Sequence, residues 1–364
     1  MMQQQQPKED KQLSPFFAFY LVVGMQIGVG VLGFERIIAE YAGQDSWIAV
    51  LLSGFTIHII LSVSYLILNK GRDDLVTIQK NVFGKWFGSF LSFYFVLYYA
   101  FFVLTVLRTY VEIIQVWMFP ELMAWVPSLL LLLLAYTYVT AGLRVVTGIA
   151  VIGFFLGLPI FLMKYAAIMD ATPSNLLPVL EHSFTDLMSA TRAMTLNYLG
   201  FEVIFMIYPF FKQAPKSQKW AQLGVAFTTF IYLISIIVSL LYFNQIQLAN
   251  TIWATLTTWK IVNLAIAERA EYIGISIWLF VVLPNLCLGL WAASRAVKQT
   301  LPISQRNALR GVCLLIFASS FLFMSRETID RLNDVASSIG FYTVYGYIPF
   351  LFLTQAIVYR VRRR

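Results

Sequence analysis

About ten apolar runs, each close to the ~20 residues that cross a hydrocarbon core, follow one another along this chain and constrain it more than any other feature. They occupy roughly residues 15–40, 46–68, 86–117, 126–141, 145–168, 187–211, 219–243, 269–296, 308–325 and 338–359. Lipid offers no hydrogen bonds, so a run of this length closes its backbone bonds internally, as a helix. The run 126–141 is short and 86–117 long, which predicts strong tilt or an overhang. Between 244 and 268 a semi-polar stretch containing Trp253 and Trp259 reads as an interfacial helix or loop. The chain is 59% hydrophobic and 12% charged with a mean hydropathy of +0.75, more apolar surface than a soluble domain hides.

The net charge of +8 is explained by where the bases fall. With the N-terminus inside, 18 of the 26 Lys and Arg lie in inside segments, among them Lys8, Lys11, Lys212, Lys216 and the tail Arg360, Arg362, Arg363 and Arg364. That bias predicts an even number of spans and two cytoplasmic termini. It predicts a cytoplasmic tail over 1–14, one transmembrane domain over 15–359, and a basic cytoplasmic end over 360–364. Within the domain one repeat covers about 15–168 and a second about 187–325, with an extra helix about 338–359. Met1–Ser14 is polar, so no cleavable signal is expected. Cys287 and Cys313 sit inside apolar runs and imply neither a disulfide framework nor a metal site. No nucleotide loop, His/Cys cluster or nucleophile elbow is present, so neither catalysis nor a cofactor is expected. The basic loops suit anionic headgroups rather than nucleic acid.

Two runs are interrupted. Thr191–Lys216, TRAMTLNYLGFEVIFMIYPFFKQAPK, carries Asn197, Gly200 and Glu202 near its middle and Pro209 before a basic exit. A carboxylate at bilayer depth costs at least ~2.5 kcal/mol, so it faces protein or water. The first run, FAFYLVVGMQIGVGVLGFERIIAEYAG, crowds Gly24, Gly28, Gly30 and Gly33 around its centre with Gln26 at mid-depth. Gly spaced by four also serves close helix packing. Two Gly-interrupted runs five spans apart, however, match inverted repeats whose spans 1 and 6 break at the midplane around a solute.

At these residues the chain resembles a known family. GMQIGVGVLGF resembles the first-helix Gly motif of the amino acid–polyamine–organocation transporter superfamily, and NYLGFEVIFMIYPFFKQAPK its sixth-helix Gly-Phe-Glu signature. The whole chain looks like the B subunits of spore germinant receptors, the GerAB family. Its length, the Arg108/Glu112 pair, the stretch Thr251–Gly274 and the basic C-terminus carry that likeness. The resemblance implies an all-α polytopic membrane protein with a LeuT-like 5+5 inverted repeat whose helices 1 and 6 are broken at mid-membrane. It further implies a germinant-binding subunit acting with a larger A-type membrane subunit and a C-type lipoprotein in a spore inner membrane. Sodium-coupled relatives of the fold supply hydroxyl oxygens in span 8, but here Ser276 and Ser294 stand near opposite ends, which argues against a standard sodium site.

The substrate site is expected at Gly24, Met25, Gln26, Gly28, Gly30, Tyr98, Asn197, Tyr198, Gly200, Phe201 and Glu202. Glu202 reads as an ammonium partner, a protonatable gate or a brace for the break. Tyr94, Tyr98, Phe101 and Thr105 form one stripe, which either lines the pocket or packs. Arg108 and Glu112, four apart, read as a local ion pair snorkelling outward. Glu35 and Arg36 read as an extracellular gate or a solvated interfacial pair, Lys164 as a snorkelling base, and His58 as a buried imidazole bonding between helices. A germinant sensor binding an amino-acid-like molecule is the leading expectation. A secondary amino-acid transporter, proton-coupled or uncoupled, is the alternative, and an assembly subunit with a vestigial pocket is a third.

Overall fold

The computed structural model describes residues 9–262 and 269–362. Lys8, Arg363, Arg364 and the centre of the Thr251–Gly274 stretch lie outside the described residues. Among the described residues the chain is helical throughout, with one isolated bridge, Leu13 to Phe211, in place of any strand.

The first half runs through α1 (Phe17–Gln26), α2 (Phe34–Ala42), α3 (Ser46–Gly71), α4 (Leu75–Phe83), α5 (Lys85–Trp117), α6 (Trp125–Ala141), α7 (Leu143–Leu162) and α8 (Tyr165–Met169). The second comprises α9 (Phe184–Ala193), α10 (Thr195–Tyr198), α11 (Ile204–Ile207), α12 (Ser217–Tyr242), α13 (Gln245–Asn250), α14 (Ala254–Trp259), α15 (Ala270–Thr300), α16 (Gln305–Ser320), α17 (Arg326–Phe341) and α18 (Ile348–Val361). Among the described residues six helical stretches are long and apolar enough to cross a membrane, and the bent pair Phe184–Ala193 with Thr195–Phe210 makes up to seven. Phe17–Gln26 and Trp125–Ala141 are apolar but shorter. Both fall below the length of a span because one run is interrupted and the other is short, as its sequence indicates.

Local chemistry sets the boundaries. Ser183 and Asp186 form a reciprocal capping box at the start of α9, and Ser325 and Thr328 do the same for α17. Asp74 caps α4 by accepting the Thr77 amide. Asp45, fully buried, accepts the amides of Leu180, Glu181 and His182 at 2.7, 2.9 and 3.1 Å, which ties the 177–183 loop down over the start of α3. The helical path from α17 to α18 passes through a π-helical turn at Tyr342–Tyr347. α15 runs through the centre, packed along α5 and α7, and α1 lies against α12. In α14, Leu256 and Trp259 are wholly buried, so this short helix packs into the protein interior.

Candidate functional site

α1 stops because Ile27 is extended (φ −91°, ψ 111°), and Gly28 and Val29 bend before a 3-10 turn at Gly30–Leu32 leads into α2. A break inside apolar surroundings exposes carbonyls, and four side chains from three other helices take them. Asn285 Nδ2 donates to the Gly24 carbonyl, Tyr232 to Gln26 at 2.9 Å, Trp278 Nε1 to Gly28 at 3.1 Å, and Thr255 to Val31 at 2.9 Å. Two glycines of this break sit hard against neighbouring side chains. A Cβ on Gly28 would overlap Asn285 Oδ1, and one on Gly30 would overlap Asn197 Oδ1. Among the described residues the amides of Gly28, Val29 and Gly30 donate to no partner.

The second break follows the same logic. Leu199 is extended (φ −65°, ψ 159°) and Gly200 takes φ +107°, a left-handed conformation that favours glycine. Glu202 closes the gap. Its Oε2 accepts the Gly200 amide at 2.5 Å, its Oε1 accepts the Tyr98 hydroxyl at 2.9 Å, and Tyr99 donates to its carbonyl at 3.0 Å. The two breaks touch: Gln26 Nε2 donates to the Tyr198 carbonyl at 2.9 Å, and a Cβ on Gly200 would lie 2.8 Å from Met25 Cβ.

A cavity of about 710 Å³ opens above this junction and reaches the protein surface beside Glu40 and Tyr41. Met25, Gln26, Gly28, Gly30 and Asn197 line it, with Asn285 and Tyr232 beside them. Gln26 Oε1 is buried there without a partner among the described residues. Gly24, Tyr98, Tyr198, Gly200, Phe201 and Glu202 stand behind the floor rather than on it. Glu202, with 0% exposure and both carboxylate oxygens engaged, bonds the unwound turn and Tyr98 and does not line the cavity. Of the aromatic stripe, Thr105 lines the cavity, Tyr98 bonds Glu202, and the Tyr94 hydroxyl meets Thr343 at 2.6 Å.

Several charged residues depart from expectation. Arg108 and Glu112 do not pair with one another or snorkel: Arg108 is 1% exposed and donates to the Phe323 carbonyl at 2.7 Å, while Glu112 pairs with Arg326 at 2.9 Å. Closing the chain end over α5 supplies these nearer partners. Glu35 and Arg36 form no solvated pair, because consecutive helical residues point apart. Glu35 turns inward to Lys164 at 2.8 Å, and Arg36 faces the cavity. Lys164 is correspondingly buried at 2% exposure, its Nζ also donating to Ser235 and Ser239. His58 is half-buried and bonds Gln222 across α3 and α12, a packing contact.

Asn285 went unremarked in the sequence, although the criterion that singles out Glu202, a polar residue inside an apolar run, applies equally to LPNLCLGL. Tyr232, Trp278 and Thr255 carry no such mark, since each is an ordinary residue of an apolar or interfacial segment.

A family model described as "Spore germination protein" matches residues 12–329. The spore germination protein GerQB of Bacillus cereus is 40% identical over 97% of this chain and 98% of its own length. The spore germination protein YndE of Bacillus subtilis (strain 168) is 22% identical over 92% and 94%. Among solved structures, MhsT in complex with L-phenylalanine superposes with a TM-score of 0.68 at 12% identity, covering 95% of this chain and 89% of that one. A substrate-bound, outward-open Na+-coupled sialic acid symporter gives 0.59 at 12% identity, over 98% and 78%. These two likenesses establish a LeuT-type transporter fold.

Proposed function

This chain belongs to the spore germination protein family, and on that premise we propose that it is a germinant-sensing membrane subunit whose cavity binds an α-amino acid. Family and fold make it a multi-pass membrane receptor or transporter rather than an enzyme. The observation that carries the finer reading is the chemistry of the cavity floor. The free amides of Gly28–Gly30 are donors for a carboxylate, favoured further by the start of α2. Gln26 Oε1 and the side-chain oxygens of Asn197 and Asn285 are acceptors for an ammonium. The same fold holds L-phenylalanine in MhsT, so its architecture accommodates a solute of this class.

Binding at the junction of two broken helices shifts a two-state equilibrium by its differential affinity for the states. A larger A-type membrane subunit and a C-type lipoprotein subunit then read that shift, with both termini of this chain on the cytoplasmic side. The ammonium contacts fall to Gln26 and the two asparagines, because the backbone groups of Gly200–Glu202 are engaged.

The test is a thermal-shift screen of amino acids and sugars on the purified chain, since a ligand at 100 times its Kd stabilises by about 2.7 kcal/mol. One or more amino acids should raise Tm, and Asn197→Leu should abolish that rise without lowering the Tm of the empty protein. A response to sugars alone, or one indifferent to Asn197→Leu, removes the reading. A cavity open at one face also suits alternating access, so a second reading is a secondary amino-acid transporter. Accumulation of labelled amino acid in proteoliposomes bearing this chain alone would favour it.

A further inference from the structure

The end of the bundle that carries the C-terminus of α18 has a corner where bases collect beside exposed rings. Gly84 (φ +84°) turns the chain from α4 into α5 and leaves Lys80 and Lys85 within electrostatic reach of one another. α18 closes the corner: Arg362 Nη1 donates to the Asn81 carbonyl at 2.8 Å, three residues before that turn. Lys85, Arg360 and Arg362 are exposed, and Lys80 spends one donor on the Gln299 carbonyl at 2.6 Å. Among the described residues none of these four bases forms an ion pair. Asp74, the acid within reach of Lys80, is buried and already bonds Gln299 and Arg295. Like charges left this close favour an anion between them. The rings form a ladder next to the bases. Phe83 stacks on Phe350 of α18 at 5.9 Å and meets Phe87 edge-on at 5.8 Å, and Phe87 stacks on Phe90 at 6.3 Å. Phe87, Phe90 and Phe350 are exposed, and Trp86, next to Lys85, is 91% exposed. An exposed Trp beside a base marks the headgroup level of a membrane, and Phe90 follows one turn deeper along α5.

We propose that this corner is a site for an anionic phospholipid. The phosphate seats among Lys80, Lys85 and Arg362, and the acyl chains lie along Phe83, Phe87, Phe90 and Phe350. With Nη1 taken by Asn81, the Arg362 guanidinium keeps Nε and Nη2 for a side-on, bidentate grip on phosphate oxygens. The ring ladder commits the site to a lipid: a soluble anion would satisfy the bases and leave the apolar wall beside them uncovered. Net negative charge decides the selectivity, because the choline of a zwitterionic headgroup meets the same bases and is repelled. Each base near the surface adds an attraction that salt screens. A lipid seated here bridges the α4–α5 turn to α18, which itself packs on α3. The site is independent of what the cavity binds.

The experiment uses the full chain in phosphatidylcholine nanodiscs containing a minor fraction of brominated phosphatidylglycerol or, in parallel, brominated phosphatidylcholine. Bromine quenches tryptophan at contact range, and the difference between the wild-type chain and Trp86→Phe isolates Trp86 among the nine tryptophans. Phosphatidylglycerol should be preferred at Trp86 by at least about fivefold, the share of one base near a membrane surface, and less so as salt rises from about 0.05 to about 0.5 M. Lys85→Gln with Arg362→Gln should remove the preference. Lys85→Gln alone, which breaks no internal contact, should reduce it with Tm unchanged. Lys219→Gln, at an exposed base of α12 on the same end of the bundle, should leave it intact. Equal quenching by the two lipids, or a preference that survives the double variant, overturns the proposal. So does an equal loss with Lys219→Gln, which would reduce the effect to the general surface potential. Displacement of the brominated phosphatidylglycerol by inorganic phosphate at constant ionic strength would make the corner a soluble-anion site and overturn the lipid assignment.

Discussion

Lys164 Nζ lies 2.8 Å from Glu35 Oε1, and the two side chains are 2% and 0% exposed. The pair joins the C-terminal end of α7 to the outer half of the first interrupted helix, and hydroxyls complete it. Ser235, Ser239 and Thr255 reach Glu35 Oε1 at 3.0, 3.3 and 2.6 Å. Desolvating two charges costs several kcal/mol, which these bonds to Oε1 offset in part, Glu35 Oε2 being buried without a partner among the described residues. The cluster therefore fixes α2 against α12 and α14.

Removing one partner leaves the other charge buried and alone. Lys164→Met should destabilise by about 3–5 kcal/mol, whereas Lys164→Met with Glu35→Gln should recover most of that loss. Thermal melts of the purified variants decide the matter, and additive losses in the double variant would count against the pairing.

Gly200 holds a left-handed conformation that a residue with a Cβ adopts only under strain. Gly200→Ala places a Cβ in the left-handed region and 2.8 Å from Met25 Cβ. The expected loss is about 1–3 kcal/mol. Of these contacts Met25→Ala on the same background removes only Cε, 3.1 Å away, and keeps the Cβ at 2.8 Å, so it should recover little of the lost Tm.

The brace role of Glu202 separates it from a ligand group. Tyr98→Phe leaves Glu202 Oε1 without its donor and should cost about 1–3 kcal/mol of stability. Amino-acid affinity, measured at a temperature where the variant is folded, should change little. A large loss of affinity with unaltered Tm would return Glu202 to the binding site.

The pH dependence of stability should carry a contribution from Asp73, in the turn after α3. Burial first, and the adjacent Asp74 charge second, push its carboxyl up to about 6. An acid raised above its unfolded value binds more protons in the folded state, so stability falls as pH rises through the window from about 4 to about 6. Asp73→Asn should flatten that slope in melts across the window and raise Tm at neutral pH. An unchanged slope would show that Asp73 is solvated.

Much of this protein is determined by residue type and spacing alone. Lipid forbids unpaired backbone, so bilayer-length apolar runs admit only helices. A carboxylate and clustered glycines inside two such runs mark Gly28, Gly30 and Gly200, because the energetic penalty there is local and independent of what packs nearby. Which groups answer one another is a different kind of information. Glu202 reaches its own turn and Tyr98, Glu35 reaches Lys164 rather than Arg36, and Glu112 reaches Arg326 rather than Arg108, across separations of 104, 129 and 214 residues for the distant pairs. Side chains adjacent in sequence on a helix diverge, while packing brings remote ones within 3 Å of each other. The position of Asn285 and Tyr232 on the breaks was decided only when α12, α15 and α17 closed around the two interrupted helices.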